Sequence, residues 1–218
     1  MSIGFLNAAH LRYLFDGLLW TVVLSLLGFV GGGILGGAVA VGATWGPKWS
    51  KLAVSAYIKL IQGTPLLVLL PLAYFGLPSL GLNIAPLTAA AIALSIYVSA
   101  YLGEIWRGCI ESVPRTQAEA AECLALPWRQ RVIHVILPQA LRIATPPTVG
   151  FMVQIVKNTS LASAIGFVEL ARAGQIINNS TFEPFVIFMI VAAMYFALCY
   201  PLSVLSRRLE RSFNVGHR

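Results

Sequence analysis

Along this chain long apolar runs alternate with short polar ones. The apolar segments fall at roughly 16–44, 53–78, 85–107, 137–163 and 184–205. Each is long enough for a helix rising about 1.5 Å per residue to cross about 30 Å of hydrocarbon. Between Asp16 and Lys48 there is no charged side chain at all. That run is too long for the apolar stretch of a cleaved leader, and its flank holds Arg12 with Asp16 rather than a basic cluster, so it reads as a retained first span. The pattern predicts an all-α, polytopic membrane protein with about five transmembrane helices, forming a single domain over 1–218.

Composition agrees. Only 11 % of the 218 residues are charged and 58 % are hydrophobic, with a mean hydropathy of +0.80, against about 25 % charged residues in soluble proteins. The net charge of +7 would suit nucleic acid if it clustered on a soluble module, and there is no such module. Instead the basic residues sort by linker. Lys48 and Lys51 follow the first span; Arg107, Arg115, Arg129 and Arg131 follow the third; Arg207, Arg208, Arg211 and Arg218 follow the fifth. The N-terminus holds only Arg12, the linker 76–86 holds none, and 164–183 holds only Arg172. The positive-inside bias then puts the N-terminus outside and the C-terminus in the cytoplasm, as an odd number of spans requires.

Little in the chain points to catalysis. Cys109, Cys123 and Cys199 are far apart and odd in number, which suggests neither a disulfide framework nor a zinc site. His10, His134 and His217 are equally scattered, and no Ser/His/Asp set, paired carboxylates or Cys/His pair is present. Gly31, Gly33 and Gly36 formally spell G-x-G-x-x-G, but no strand precedes them and no acidic residue follows about 20 positions on. The same stretch contains the small-xxx-small pairs Gly28/Gly32, Gly32/Gly36 and Gly33/Gly37, which allow helices to approach closely in lipid. No G-x-x-x-x-G-K-[ST] occurs, so the chain has no Walker loop for ATP.

One polar insertion, about 113–136, interrupts the apolar pattern on the side assigned to the cytoplasm. Pro114 fits a helix start. Ala118, Ala120, Ala121 and Ala125 with Leu124 line one small-residue face, and Pro127 ends the helix. A second short helical stretch, Trp128 to Val135, leads to Pro138 and the fourth span. Such a knob suits close packing against a partner, although a solvated helix without a partner would have similar composition.

The wording of this insertion, Glu119-Ala120-Ala121, three residues, Ala125, nine residues, then Val135-x-Leu137-Pro138, resembles the EAA loop of ABC importer permeases. The likeness extends from about Tyr13 to Arg211. "IQGTPLLVLL", "SAYLGEIWRGCIESVP", "LPQALRIATPP", "IVKNTSLASAIGFVEL" and "PLSVLSRRLER" are similar to the polar amino-acid branch of these permeases. The resemblance implies a type I importer permease of the bacterial inner membrane. In that family the loop docks on a cytosolic ATPase, here through Glu119, Ala120, Ala121, Leu124, Ala125 and Leu126. It further implies an ATPase dimer that binds ATP and Mg, a second permease subunit, identical or paralogous, and an extracytoplasmic solute-binding protein that delivers an amino acid. No cofactor is expected on this chain. Two positions depart from the family pattern: Gln62 replaces an Arg often found before Gly-Thr-Pro, and Ala125 replaces a Gly. An alanine suits an ordinary helical or turn conformation but not positive φ.

Polar residues inside spans are costly and count as functional candidates. Glu104 lies one turn before Arg107, so an i,i+3 ion pair is expected beside any pathway role. Lys157-Asn158-Thr159-Ser160 is the densest polar patch in a span. It should line a cavity or interface, Lys157 meeting a substrate carboxylate and the others supplying hydrogen bonds, or else serve interhelical packing. Gln62-Gly63-Thr64-Pro65 should kink the second span, as a gate hinge or as plain packing, with Gln62, Thr64 and Glu104 as further candidates for the substrate pathway, and Pro146-Pro147 should kink the fourth. Glu169, Arg172 and Glu183 are expected in an outer loop, facing a binding protein or simply water. The competing readings are an ATPase-independent channel or secondary transporter, for which in-span carboxylates and inverted repeats are sparse, and a membrane-anchored enzyme, for which no constellation exists.

Overall fold

The computed structural model describes residues 7–214; His217 and Arg218, named above, lie outside them. The described residues contain no strand. In chain order the helices are α1 (Ala8–Trp45), α2 (Lys48–Gln62), α3 (Leu66–Ser79), α4 (Pro86–Glu111), α5 (Arg115–Cys123), α6 (Trp128–Gln130), α7 (Leu137–Asn158), α8 (Leu170–Thr181) and α9 (Pro184–Asn214). A π-helical turn, Arg131–Ile136, joins α6 to α7, and a 3₁₀ segment, Thr159–Ile165, follows α7.

Three helices, α1, α4 and α9, are individually long and apolar enough to cross a membrane, and counting each of two bent pairs as one span brings the number to five. The first span begins earlier than expected because Asn7 caps it, its side chain accepting from the His10 N–H at 2.9 Å. The second span is not one kinked helix: α2 and α3 meet at a bend of 101°. The cause is local. Gly63 still donates to the Lys59 carbonyl, but the Thr64 N–H falls back to Ile61, and Pro65 has no N–H and an extended ψ of 136°. The Thr64 hydroxyl donates to the Leu60 carbonyl at 2.8 Å, satisfying an acceptor at the break. The fourth span stays helical through Pro146 and Pro147, where the Ser206 hydroxyl of α9 donates to the Pro146 carbonyl at 2.9 Å. It bends later, by 51°, where the 3₁₀ segment gives way to α8.

The main seam of the subunit is α1 against α4. Gly28, Gly32 and Gly36 are buried along it. A Cβ at Gly28 would stand 3.0 Å from Leu94 Cβ, one at Gly36 3.2 Å from the Gly103 backbone nitrogen, and one at Gly32 would overlap Val98. Close approach is therefore why glycine stands there. Gly33 and Gly37 behave differently, since a Cβ at either would lie at ordinary distance, 3.8 and 3.7 Å, from the Trp106 ring. That second stripe, grouped with the first by spacing alone, makes no close helix contact among the described residues.

Candidate functional site

The first candidate is the Val113–Ile136 loop. Val113 is buried at its root, Pro114 caps α5 and accepts from the Gln117 N–H, and α5 is nine residues long. The buried residues of α5 and the π turn are Ala121 and Val132, 4 % and 6 % exposed, where the two elements pack together. Glu122 and Arg131 join them by an ion pair at 2.7 Å. Trp128 sets its ring edge-on to Trp45 at the end of α1, with centroids 6.2 Å apart and planes at 89°.

The end of α5 corrects one expectation. Ala125 adopts a φ of +54°, the left-handed conformation that its lack of glycine argued against. The reason lies in the carbonyls at the helix end. The Leu126 N–H donates to Ala121 at 3.2 Å and the Ala125 N–H to Glu122 at 2.8 Å, the paired bonds of a Schellman cap. Two bonds and a sharp stop outweigh the strain of about 1–2 kcal/mol for an alanine in that region. The cap turns Leu124 outward, 75 % exposed, beside exposed Glu119, Ala120 and Ala125 and half-buried Leu126. Of the residues named for docking, only Ala121 faces inward.

The second candidate is the polar turn at the end of α7. Lys157 is exposed, Asn158 and Ser160 are half-buried and Thr159 is fully buried. Both hydroxyls are consumed locally, Thr159 donating to the Val156 carbonyl and Ser160 to the Lys157 carbonyl, each at 2.7 Å. The Asn158 side-chain oxygen accepts from Gln154 at 3.2 Å, while its buried amide nitrogen has no partner among the described residues. The remaining pathway candidates each have partners of their own. Glu104 forms the expected ion pair with Arg107 at 2.6 Å, and Arg107 bridges on to Glu111. Gln62 donates to the Ala100 carbonyl at 3.5 Å, tying α2 to α4, and Thr64 bonds its own helix.

Glu169 contradicts the outer-loop expectation. It is 0 % exposed. As the N-cap of α8 it accepts from the Ala171 and Arg172 N–H groups, both at 2.8 Å, and from the Tyr195 hydroxyl of α9 at 2.7 Å. A buried carboxylate is tolerated because it is held by donors, two of them at the positive end of a helix. The position immediately before the periodic apolar residues Leu170, Ala173 and Ile177 was the available signal. Glu183 is exposed as expected, and half-buried Arg172 reaches along α8 to Gln175 at 3.0 Å.

Over residues 32–215 the chain matches the family described as binding-protein-dependent transport system inner membrane component. It is 35 % identical, over 91 % of its own length and 94 % of the relative's, to the probable glutamine ABC transporter permease protein GlnM of Bacillus subtilis (strain 168). It is 36 % identical to the L-cystine transport system permease protein TcyB of the same organism, over 89 % and 86 % of the two chains. A solved structure of an amino acid ABC transporter with histidines superposes with a TM-score of 0.89 at 36 % identity, covering 97 % of this chain and 100 % of that one. A helical membrane fold with an exposed, capped helix between its third and fourth spans, matched over almost its whole length by such proteins, belongs to the inner membrane components of binding-protein-dependent transport systems, the permease subunits of ABC importers.

Proposed function

We propose that the whole chain forms one permease domain, half of the membrane pathway of an importer for a polar amino acid, and that it is driven through the Val113–Ile136 loop by a separate ATPase. The observation that carries this reading is Leu124. A leucine 75 % exposed at the tip of a helix, beside Ala120 and Ala125 and held in place by a Schellman cap and the Glu122–Arg131 ion pair, is costly in water and fits a groove on another protein. The ATPase, as a dimer, supplies ATP and Mg chemistry; this chain contributes a rigid handle. A second permease subunit completes the pathway, since five spans enclose little on their own. A binding protein delivers the amino acid on the opposite face. Substrate class follows from relatives named for glutamine and L-cystine and from a structure named for histidines.

In this reading Lys157 faces the pathway rather than lipid, because an exposed ammonium within a span is expensive unless it meets water or a partner. With the unpartnered Asn158 amide beside it, it contacts the carboxylate end of the substrate. The N-terminus lies outside and the C-terminus inside. Cys123 offers a direct test of that topology, being exposed at the end of α5 while Cys109 and Cys199 are buried. A membrane-impermeant maleimide should label it in inverted vesicles and spare it in intact cells; the reverse pattern would put the loop on the wrong side. The decisive assay is reconstitution with the ATPase and binding protein, where hydrolysis must rise on adding the loaded binding protein. Equal transport without any ATPase would refute the reading.

A further inference from the structure

Both candidate regions touch the same helix. At its C-terminal end α1 meets the loop through Trp45, edge-on to Trp128 at 6.2 Å. About 36 Å away along the axis, 24 residues nearer the N-terminus, α1 grips the segment just after the polar turn. Trp20 stacks edge-on against Phe167 at 5.9 Å, the Thr21 hydroxyl accepts from the Leu170 N–H at 3.2 Å, and Gly17 abuts Ala173. At this same end Glu169, next to Leu170, accepts from the Tyr195 hydroxyl at 2.7 Å, which fixes the grip to α9.

The covalent route between the two regions is α7, and it is the softer one. Leaving the loop it passes a π turn, where hydrogen bonds are re-registered, then Pro146 and Pro147, each lacking an N–H. α1 is one helix of 38 residues without a proline. Where its glycines cluster, Gly28, Gly32 and Gly36 are held closely against α4. A displacement applied at Trp128 therefore reaches the polar turn with less loss through α1 than through α7.

We propose that α1 is a strut that transmits loop motion to the segment just after the polar turn, and through it to the turn, with Trp45 at its input end and the Thr21–Glu169–Tyr195 junction at its output end acting as positioning residues. The proposal rests on the reading that an ATPase moves the loop. Neither end need touch substrate or nucleotide. Coupling should therefore change while assembly and basal hydrolysis do not.

The test uses the full transporter in proteoliposomes, measuring amino-acid uptake and ATP hydrolysis together. If the unmodified complex shows no hydrolysis stimulated by its binding protein, the reading beneath the proposal fails, independently of α1. Given stimulation, Trp45→Ala is expected to keep the ATPase bound and its basal rate intact. Uptake per ATP should fall at least threefold, and Trp45→Phe, which restores a ring, should recover most of it. Tyr195→Phe should lower the same ratio, and the double variant should be no worse than the worse single one. An unchanged ratio in Trp45→Ala, or losses that multiply in the double variant, would overturn the strut. Should Trp45→Ala not assemble, Trp45→Leu keeps the volume and removes the ring, and the same ratio decides.

Discussion

The loop and the polar turn contrast in what they leave unsatisfied. The loop closes the end of α5 with the two bonds of a Schellman cap and ties it to the π turn with an ion pair, and at that closed end it presents apolar Leu124, Ala120 and Ala125 outward. The turn presents polar groups, yet two of its four, the hydroxyls of Thr159 and Ser160, are spent on carbonyls one turn back. What is left is the exposed Lys157 ammonium and the buried, unpartnered Asn158 amide. A site is thus marked by the group that its surroundings fail to satisfy: an exposed leucine where water is expected, a buried amide left without a partner. Density of polar residues along the sequence overstates the turn and understates the loop.

Four substitutions sharpen this contrast, the largest effect first. Leu124→Asp should abolish docking, lowering binding-protein-stimulated hydrolysis by about tenfold or more, as truncation of an interface anchor does; native-like co-purification with the ATPase would count against the loop. Lys157→Ala should cut uptake by about tenfold through loss of a charged contact while leaving basal hydrolysis intact. If uptake is unaffected, the lysine serves packing alone. Thr159→Val should leave transport unchanged and lower stability by about 1 kcal/mol, the worth of one hydrogen bond to the backbone, read as a lower Tm in detergent. Ala125→Gly should raise stability by about 0.5–1 kcal/mol by relieving positive φ, less the entropy glycine loses on folding. A fall in Tm would mean that the alanine methyl contributes a contact of its own.

Much of the architecture was legible because lipid imposes length and composition on any span. The five apolar runs, the exposed helix between the third and fourth, and the Glu104–Arg107 pair all follow from period and spacing. What escaped depended on contacts between distant elements or on competition between weak local terms. Pro65 announced a break, but whether it made a kink or a 101° corner turned on where the Thr64 N–H found its acceptor. Glu169 looked solvated because its partner, Tyr195, is 26 residues away on another helix. Ala125 was misjudged from residue preference alone, when two capping bonds decide the matter. Gly33 and Gly37 share the spacing of the true seam but not its neighbours.

The corner at Pro65 has a consequence for the surrounding bilayer. With 14 residues α3 rises only about 21 Å, short of the roughly 30 Å acyl region. α2 departs almost at right angles and so contributes its girth of about 10 Å instead of its length. With α3 along the bilayer normal, girth and rise together come to about 31 Å, one ordinary acyl region with nothing to spare. Longer acyl chains would leave this span mismatched while α1 and α9 could absorb the change by tilting, which makes lipid chain length a variable that acts on one span of the five.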